Sequence, residues 1–203
     1  MLCLLTCPPA YMALQQEIDL ATSSGSLSYP TASDAESRSL SYLDAVMREA
    51  MRMHPPSVSP SKLSPATPDT VCGYLVPPGT QVGANVPGVL RSQAVFGPDA
   101  DCFRPERWLE AAEEEDGYRL GRMRSTLDLV FGAGKFQCMG KGIAYMEVRK
   151  LFVELMRRFD FAIVDSKRPL HVESLAIMVV HDFNVRITRR TKFPMLEREQ
   201  ILA

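Results

Sequence analysis

The chain has few side chains with which to hold a metal and almost no charge of either sign in excess. Its three histidines, His54, His171 and His181, lie far apart, and its five cysteines, Cys3, Cys7, Cys72, Cys102 and Cys138, are odd in number and irregularly spaced. No Cys or His pair has zinc-ligand spacing, so any metal must arrive in a scaffold of its own. The sparse thiols argue against a disulfide framework and fit a reducing compartment. With a formal net charge of -1 and an isoelectric point near 6.3, nothing invites a phosphate backbone or an anionic membrane, and no nucleic-acid partner is expected. The opening MLCLLTCPPAYMALQQEIDL is apolar for only a few residues and lacks a basic segment, which supports neither a signal peptide nor a membrane span. Internal repeats and low-complexity tracts are absent as well.

What is present fits a folded chain of one domain: 203 residues, 46% hydrophobic and 23% charged. The apolar opening has no N-cap and reads as the tail of a buried helix whose beginning is missing, so a fragment is expected. Pro8-Pro9 ends that helix, residues 10–21 suit a second, and 22–33 form a loop. Over 39–54 the apolar Leu43, Val46, Met47, Ala50 and Met53 recur at helical spacing until Pro55-Pro56. From Pro55 to Pro98 lie nine of the fifteen prolines, so 57–98 is expected to be irregular, with short strands at 71–76 and 81–85. Residues 101–109 hold an aromatic-basic cluster, 113–121 a charged surface loop, and 139–158 a long helix with Ala144, Val148, Leu151, Leu155 and Phe159 on one face. The runs FDFAIV, LAIMVV and FNVRIT suggest a small sheet of two or three strands.

Chemistry concentrates at FGAGKFQCMG, residues 131–140. A lone cysteine is more often a small buried hydrophobe than a ligand. Cys138, however, follows a loop with Gly132 and Gly134 and stands just before the long helix, where free N–H groups and the helix dipole favour an anion and hence a thiolate. The bland alternative is a glycine-rich turn with an incidental cysteine, or a phosphate cradle; neither GxxxxGK[ST] nor GxGxxG spacing is present. Upstream, Glu49-Ala50-Met51-Arg52 is followed by MHPP, and Phe103-Arg104-Pro105-Glu106-Arg107-Trp108 stands further on. Taken singly, the first is an ordinary solvated ion pair on a helix and the second a basic surface turn.

In this order and spacing the three motifs resemble the C-terminal portion of a cytochrome P450, a haem-thiolate monooxygenase of the fungal type. The resemblance implies a mainly α fold with small β-sheets, truncated, in which 1–203 is a single partial domain. It implies haem b as cofactor, with Cys138 as axial ligand to iron and Phe131, Gly132, Gly134, Lys135, Gly140 and Lys62 around the cofactor. Gly132 and Gly134 would let the backbone approach the porphyrin, Gly140 would let the helix pass beside it, and Phe131 would screen the sulfur from water. Glu49, Arg52 and Arg107 would form a buried structural network behind the loop, complete because an unpaired buried charge is costly.

Further implications are a small organic substrate and electrons from NADPH through a flavoprotein reductase, with Lys141, Arg149 and Lys150 facing that acidic partner or simply forming a solvated face. Residues 57–62 and 173–179 match substrate-lining positions. No catalytic residue is assignable, because the segment that delivers protons to bound oxygen in the family falls outside the resemblance. The family usually places Arg or His where Phe136 stands, so one propionate contact is lost; Lys135 and Lys62 would replace its charge but not its bidentate geometry. A full-length relative would sit on the endoplasmic reticulum membrane, and this chain's own location is open. The alternative is a non-catalytic truncated remnant that does not hold haem stably.

Overall fold

A computed structural model of the chain describes residues 1–57, 61–174 and 177–191. The first two helices, α1 (Leu2–Leu5) and α2 (Pro8–Ser23), abut at Cys7. Pro8 and Pro9 therefore open α2 rather than merely ending α1, since a proline in the first helical turn loses no bonded N–H. The loop expected over 22–33 begins two residues later, at Ser24. A capping box starts α3 (Asp34–Arg38): Ser33 Oγ accepts from the Glu36 N–H and the Ser33 N–H donates to Glu36 Oε2, at 3.2 and 2.7 Å. The helix expected over 39–54 is α4 (Ser41–Met53), ended at His54 by the prolines that follow.

The proline-rich stretch holds β1 (Ser61–Leu63), β2 (Asp69–Val71), β3 (Tyr74–Val76) and β4 (Gln81–Gly83), with β1 pairing β4 and β2 pairing β3, both antiparallel. The strand expected at 71–76 is instead a hairpin. Cys72 and Gly73 both take positive φ, 51° and 84°, and turn the chain back on itself. Short helices α5 (Val86–Val89) and α6 (Gln93–Phe96) lead to α7 (Glu106–Glu113) and α8 (Tyr118–Asp128). The charged loop expected over 113–121 is thus only the link between two helices, because Trp108, Ala111, Met123 and Leu127 bury one side of each despite the polar composition. Two 3-10 turns, Leu129–Phe131 and Gly134–Phe136, precede α9 (Lys141–Arg158). The chain closes with β5 (Phe159–Ile163), β6 (His171–Ser174), β7 (Met178–His181) and β8 (Val185–Arg189), paired β5 with β8 and β6 with β7. In the run LAIMVV, Leu175 and Ala176 lie outside the described residues.

Two apolar clusters share α4. Val46, Leu43 and Met47 pack with Leu4, Leu14, Ile18, Val153 and Met156, while Ala45 joins Leu90, Phe96, Trp108, Met123 and Leu127. The buried side of α9 is therefore Val153 and Met156, while Val148 and Leu151 of the apolar face read from the sequence remain 38% and 54% exposed. The helix is apolar on two sides, and only one of them meets α2 and α4. Polar ties fasten the periphery: Arg190 binds both Asp19 carboxylate oxygens at 2.9 and 2.7 Å, and Glu154 accepts the Ala32 N–H at 2.9 Å.

Candidate functional site

The loop before α9 is closed by one short backbone bond, from the Cys138 N–H to the Phe131 carbonyl at 2.7 Å. Gly132, at φ 76° and ψ -174°, occupies backbone space that L side chains avoid, and a Cβ there would meet the Phe136 carbonyl oxygen at 3.0 Å. Gly134, at φ 59°, makes the second turn, and Gly140 lies against Cys138, its would-be Cβ 3.6 Å from Sγ. The result presents Cys138 as an exposed thiol just ahead of the 18-residue α9. Phe131 does not screen it: its ring packs on Tyr145, centroids 5.6 Å apart, because the apolar cluster beside α8 draws it inward.

Lys62, on β1, reaches this loop. Its Nζ stands 3.4 Å above the Phe136 ring centroid, and the Lys135 Nζ lies 5.0 Å from the same centroid. Phe136 thus gathers the two ammonium groups by cation–π attraction.

Behind the loop, Glu49, Arg52 and Arg107 come together with fully buried side chains. Arg52 donates from Nε and Nη2 to the two Glu49 oxygens at 2.9 and 2.7 Å, and Arg107 Nε donates to Oε1 at 3.0 Å. Glu49 also accepts the Arg104 backbone N–H and the Trp108 indole N–H, both at 2.9 Å. The guanidiniums spend their other donors on carbonyls: Arg52 on Leu90, Ala100 and Cys102, Arg107 on Phe96, Asp99 and Cys102. Asp99 supplies the second negative charge, accepting from Arg107 Nη1 at 2.8 Å and Arg104 Nε at 2.6 Å. Burial pushes the Glu49 carboxyl up, but the bonds and charge of Arg52 and then Arg107 outweigh it and leave it below its ordinary value. Asp99, held first by Arg107 and then by Arg104, falls to about 2.

Sequence reasoning missed Asp99 and Trp108. Trp108 stands next to Arg107 in FRPERW, and a buried indole N–H needs an acceptor, so it was findable. Asp99, eight residues from Arg107, carries no comparable signal.

An apolar cleft of about 530 Å³ runs between α1, α4, α9 and the β6–β7 hairpin, lined by Leu4, Met47, Ala50, Phe103, Phe131, Ala144, Val148, Phe152, Val172 and Val180. His54 is among its polar edges, and burial followed by the Arg91 charge lowers its pKa, so the imidazole is neutral at pH 7. The two expected substrate segments come side by side: Ser57 bridges Ile177, and the Met178 N–H donates to the Pro56 carbonyl at 2.8 Å. Val58, Ser59 and Pro60, and Leu175 and Ala176, lie outside the described residues. Of the basic residues expected to face a partner, Arg149 pairs with Asp44 at 2.9 Å and Lys141 with Asp128 at 2.6 Å, while Lys150 is half-buried.

The residues fit a haem group. Among the described residues no three His, Cys, Asp or Glu side chains assemble into a metal site. The outward thiol of this loop suits a metal that brings its remaining ligands with it, and the open space at Gly134, where a Cβ would meet nothing within 4 Å, suits a flat ring's approach. Fold and loop thus define a mainly helical scaffold with an exposed thiol held by the glycine loop before α9 and a buried ion network on α4 and α7.

A family model described as Cytochrome P450 matches residues 1–187. The chain belongs to the cytochrome P450 family. It is 40% identical over 184 residues to cytochrome P450 monooxygenase ABA1 of Pyricularia oryzae, covering 90% of this chain and 35% of that protein. It is 35% identical over 185 residues to cytochrome P450 monooxygenase aba1 of Botryotinia fuckeliana, 91% of this chain and 35% of the relative. With cytochrome P450 monooxygenase cicH of Emericella nidulans it shares 37% identity over 188 residues, 92% of this chain and 36% of the relative. The chain therefore spans about a third of the length of the curated relatives it matches. Among the described residues no helix is long and apolar enough to cross a membrane.

Proposed function

We propose that this chain, as one partial domain over 1–203, forms the thiolate-bearing wall of a haem monooxygenase site that inserts one oxygen atom into a small organic substrate. The observation that carries the reading is the Cys138 loop, whose closing bond and Gly132 hold a lone thiol outward at the start of α9. Haem, when bound, supplies the iron that takes up electrons and activates dioxygen, and a thiolate ligand favours O–O cleavage. The chain's own residues bind and orient. Cys138 ligates iron, Phe131, Gly132, Gly134 and Gly140 shape the approach, and Lys62 and Lys135 neutralise propionates from the Phe136 face. Glu49, Arg52 and Arg107 fix α4 against the segment before α7, and the apolar cleft admits substrate beside residues 56–57 and 177–178.

Electrons would come from NADPH through a flavoprotein reductase, and a full-length form would sit at the endoplasmic reticulum membrane. A second reading concerns the chain by itself. Met139 is fully exposed, and Phe136, Ile143 and Leu151 are more than half exposed along one side of the loop and α9. A haem held from one side only binds weakly, so the isolated chain is a poor holder of cofactor and turns over no substrate with a competent reductase.

Titrating haemin into the purified chain tests the reading. Saturation at one haem per chain, weakened several-fold by Lys62→Ala, is expected; unsaturable uptake indifferent to Lys62 would overturn the lysine assignment. NADPH-dependent product formation by the chain alone would overturn the second reading.

A further inference from the structure

On the opposite side of Tyr145 from the apolar cleft lies a polar pocket of about 440 Å³, within the size range of small-ligand sites. Its cations come from four places in the chain: Arg38 of α3, Arg48 of α4, Arg124 of α8, and Lys141 with Arg149 of α9. Asp128 is the one carboxylate among its lining residues. Behind the wall, Asp44 serves two guanidiniums at once, Arg48 Nε at 2.6 Å and Arg149 Nη2 at 2.9 Å, and Asp34 serves Arg38 at 2.7 Å. Among the described residues no carboxylate pairs with Arg124. Cations therefore outnumber carboxylates around one concavity.

Two further observations favour an anion there. Arg149 is only 12% exposed, yet its Nε–H is buried with no acceptor, so Asp44 does not saturate it. The first turn of α9 borders the pocket at Gly142, whose missing side chain leaves the helix start approachable, and the positive end of an 18-residue helix adds to the field.

We propose that this pocket binds a small phosphate-bearing anion. The side chains of Arg48 and Arg149 are 18% and 12% exposed, so a protein surface cannot press against them, whereas a phosphate a few ångströms across can enter. Two recessed guanidiniums, Arg48 and Arg149, with the exposed Arg38 and Arg124 lining the same pocket, suit phosphate oxygens, which accept bidentate guanidinium bonds. The proposal is independent of haem, and its test is made without it.

The structure also supplies a reporter. The Arg48 guanidinium carbon lies 5.8 Å from the Trp108 ring centroid, and Trp108 is the only tryptophan in the chain. An anion drawn to Arg48 changes the charge beside that indole. Inorganic pyrophosphate is titrated into the full chain at constant ionic strength, followed by tryptophan fluorescence and by calorimetry. Saturable one-to-one binding is expected, weakened about tenfold in Arg124→Gln by loss of one charge-assisted hydrogen bond and unchanged in Arg168→Gln, an exposed residue outside the pocket. Arg124 is exposed and pairs with no carboxylate among the described residues, so its replacement leaves folding intact. Parallel titrations with adenosine 5′-monophosphate and with orthophosphate separate the sources: tighter binding of the nucleotide than of orthophosphate assigns a nucleotide, equal or weaker binding a free phosphate. A signal that follows ionic strength without saturating, or equal affinity in Arg124→Gln, overturns the proposal. So does a set of pocket variants that weaken capture of an acidic reductase and leave pyrophosphate binding unchanged.

Discussion

At Glu49 one carboxylate answers two buried guanidiniums, an indole N–H and a backbone N–H. Glu49→Gln leaves Arg52 and Arg107 short of a counter-charge in a dry interior, and the expected loss is about 3–5 kcal/mol. Urea denaturation followed by circular dichroism reads this directly; an unchanged midpoint would show that the network is solvated. Asp99 gives a pH prediction. Its folded pKa, about 2, lies below the ordinary 3.8, so its contribution is complete above roughly pH 4 and is lost as pH falls through 2. Glu49, also depressed, acts in the same direction. Asp99→Asn should therefore lose stability less steeply than the parent between pH 4 and pH 2 in acid titrations of the melting temperature, and parallel curves would contradict the assignment. At this scale the sequence was legible where motif residues sit close together, as Glu49 and Arg52 do one helical turn apart. Asp99 was not, because an aspartate after Gly-Pro looks like any turn residue until Arg107 folds over it.

Among the elements, the loop of 131–140 depends on Gly132. Gly132→Ala combines a backbone conformation that L residues avoid with a 3.0 Å approach to the Phe136 carbonyl. A destabilisation of about 1–3 kcal/mol is expected in thermal or denaturant melts, with haemin uptake weakened beyond that of the Gly121→Ala control, an exposed position with open space for a Cβ. Equal uptake by the two variants would mean that the loop's shape does not matter. Helix α4 was readable from its apolar spacing and proline stop, and the end of α9 from its basic last turn and the strand pattern that follows. Helix α8 was not, since YRLGRMRSTLD buries only Met123 and Leu127 and its composition is that of a surface loop. The β2–β3 hairpin was hidden for a related reason: its turn falls on Cys72-Gly73, and cysteine gives no turn signal although its φ is 51° here.

For the molecule as a whole, α4 joins two apolar clusters and also carries Glu49 and Arg52 of the buried network. The sequence implied that architecture through its motifs and gave α9 an apolar face, but periodicity reports that such a face exists and not which neighbour covers it. Of that face, Ala144 and Val148 line the apolar cleft, and Leu151 is exposed.

The most direct measurement is the spectrum of the reduced, carbon monoxide-saturated complex formed at saturating haemin, recorded for the parent, Cys138→Ser and Cys102→Ser. Cys102 is the other exposed thiol close to the ion network, its carbonyl accepting from Arg52 and Arg107. The red-shifted Soret band of a thiolate ligand is expected in the parent and in Cys102→Ser and absent from Cys138→Ser. Its persistence in Cys138→Ser, or its absence from the parent, would contradict the assignment of Cys138 as the ligand.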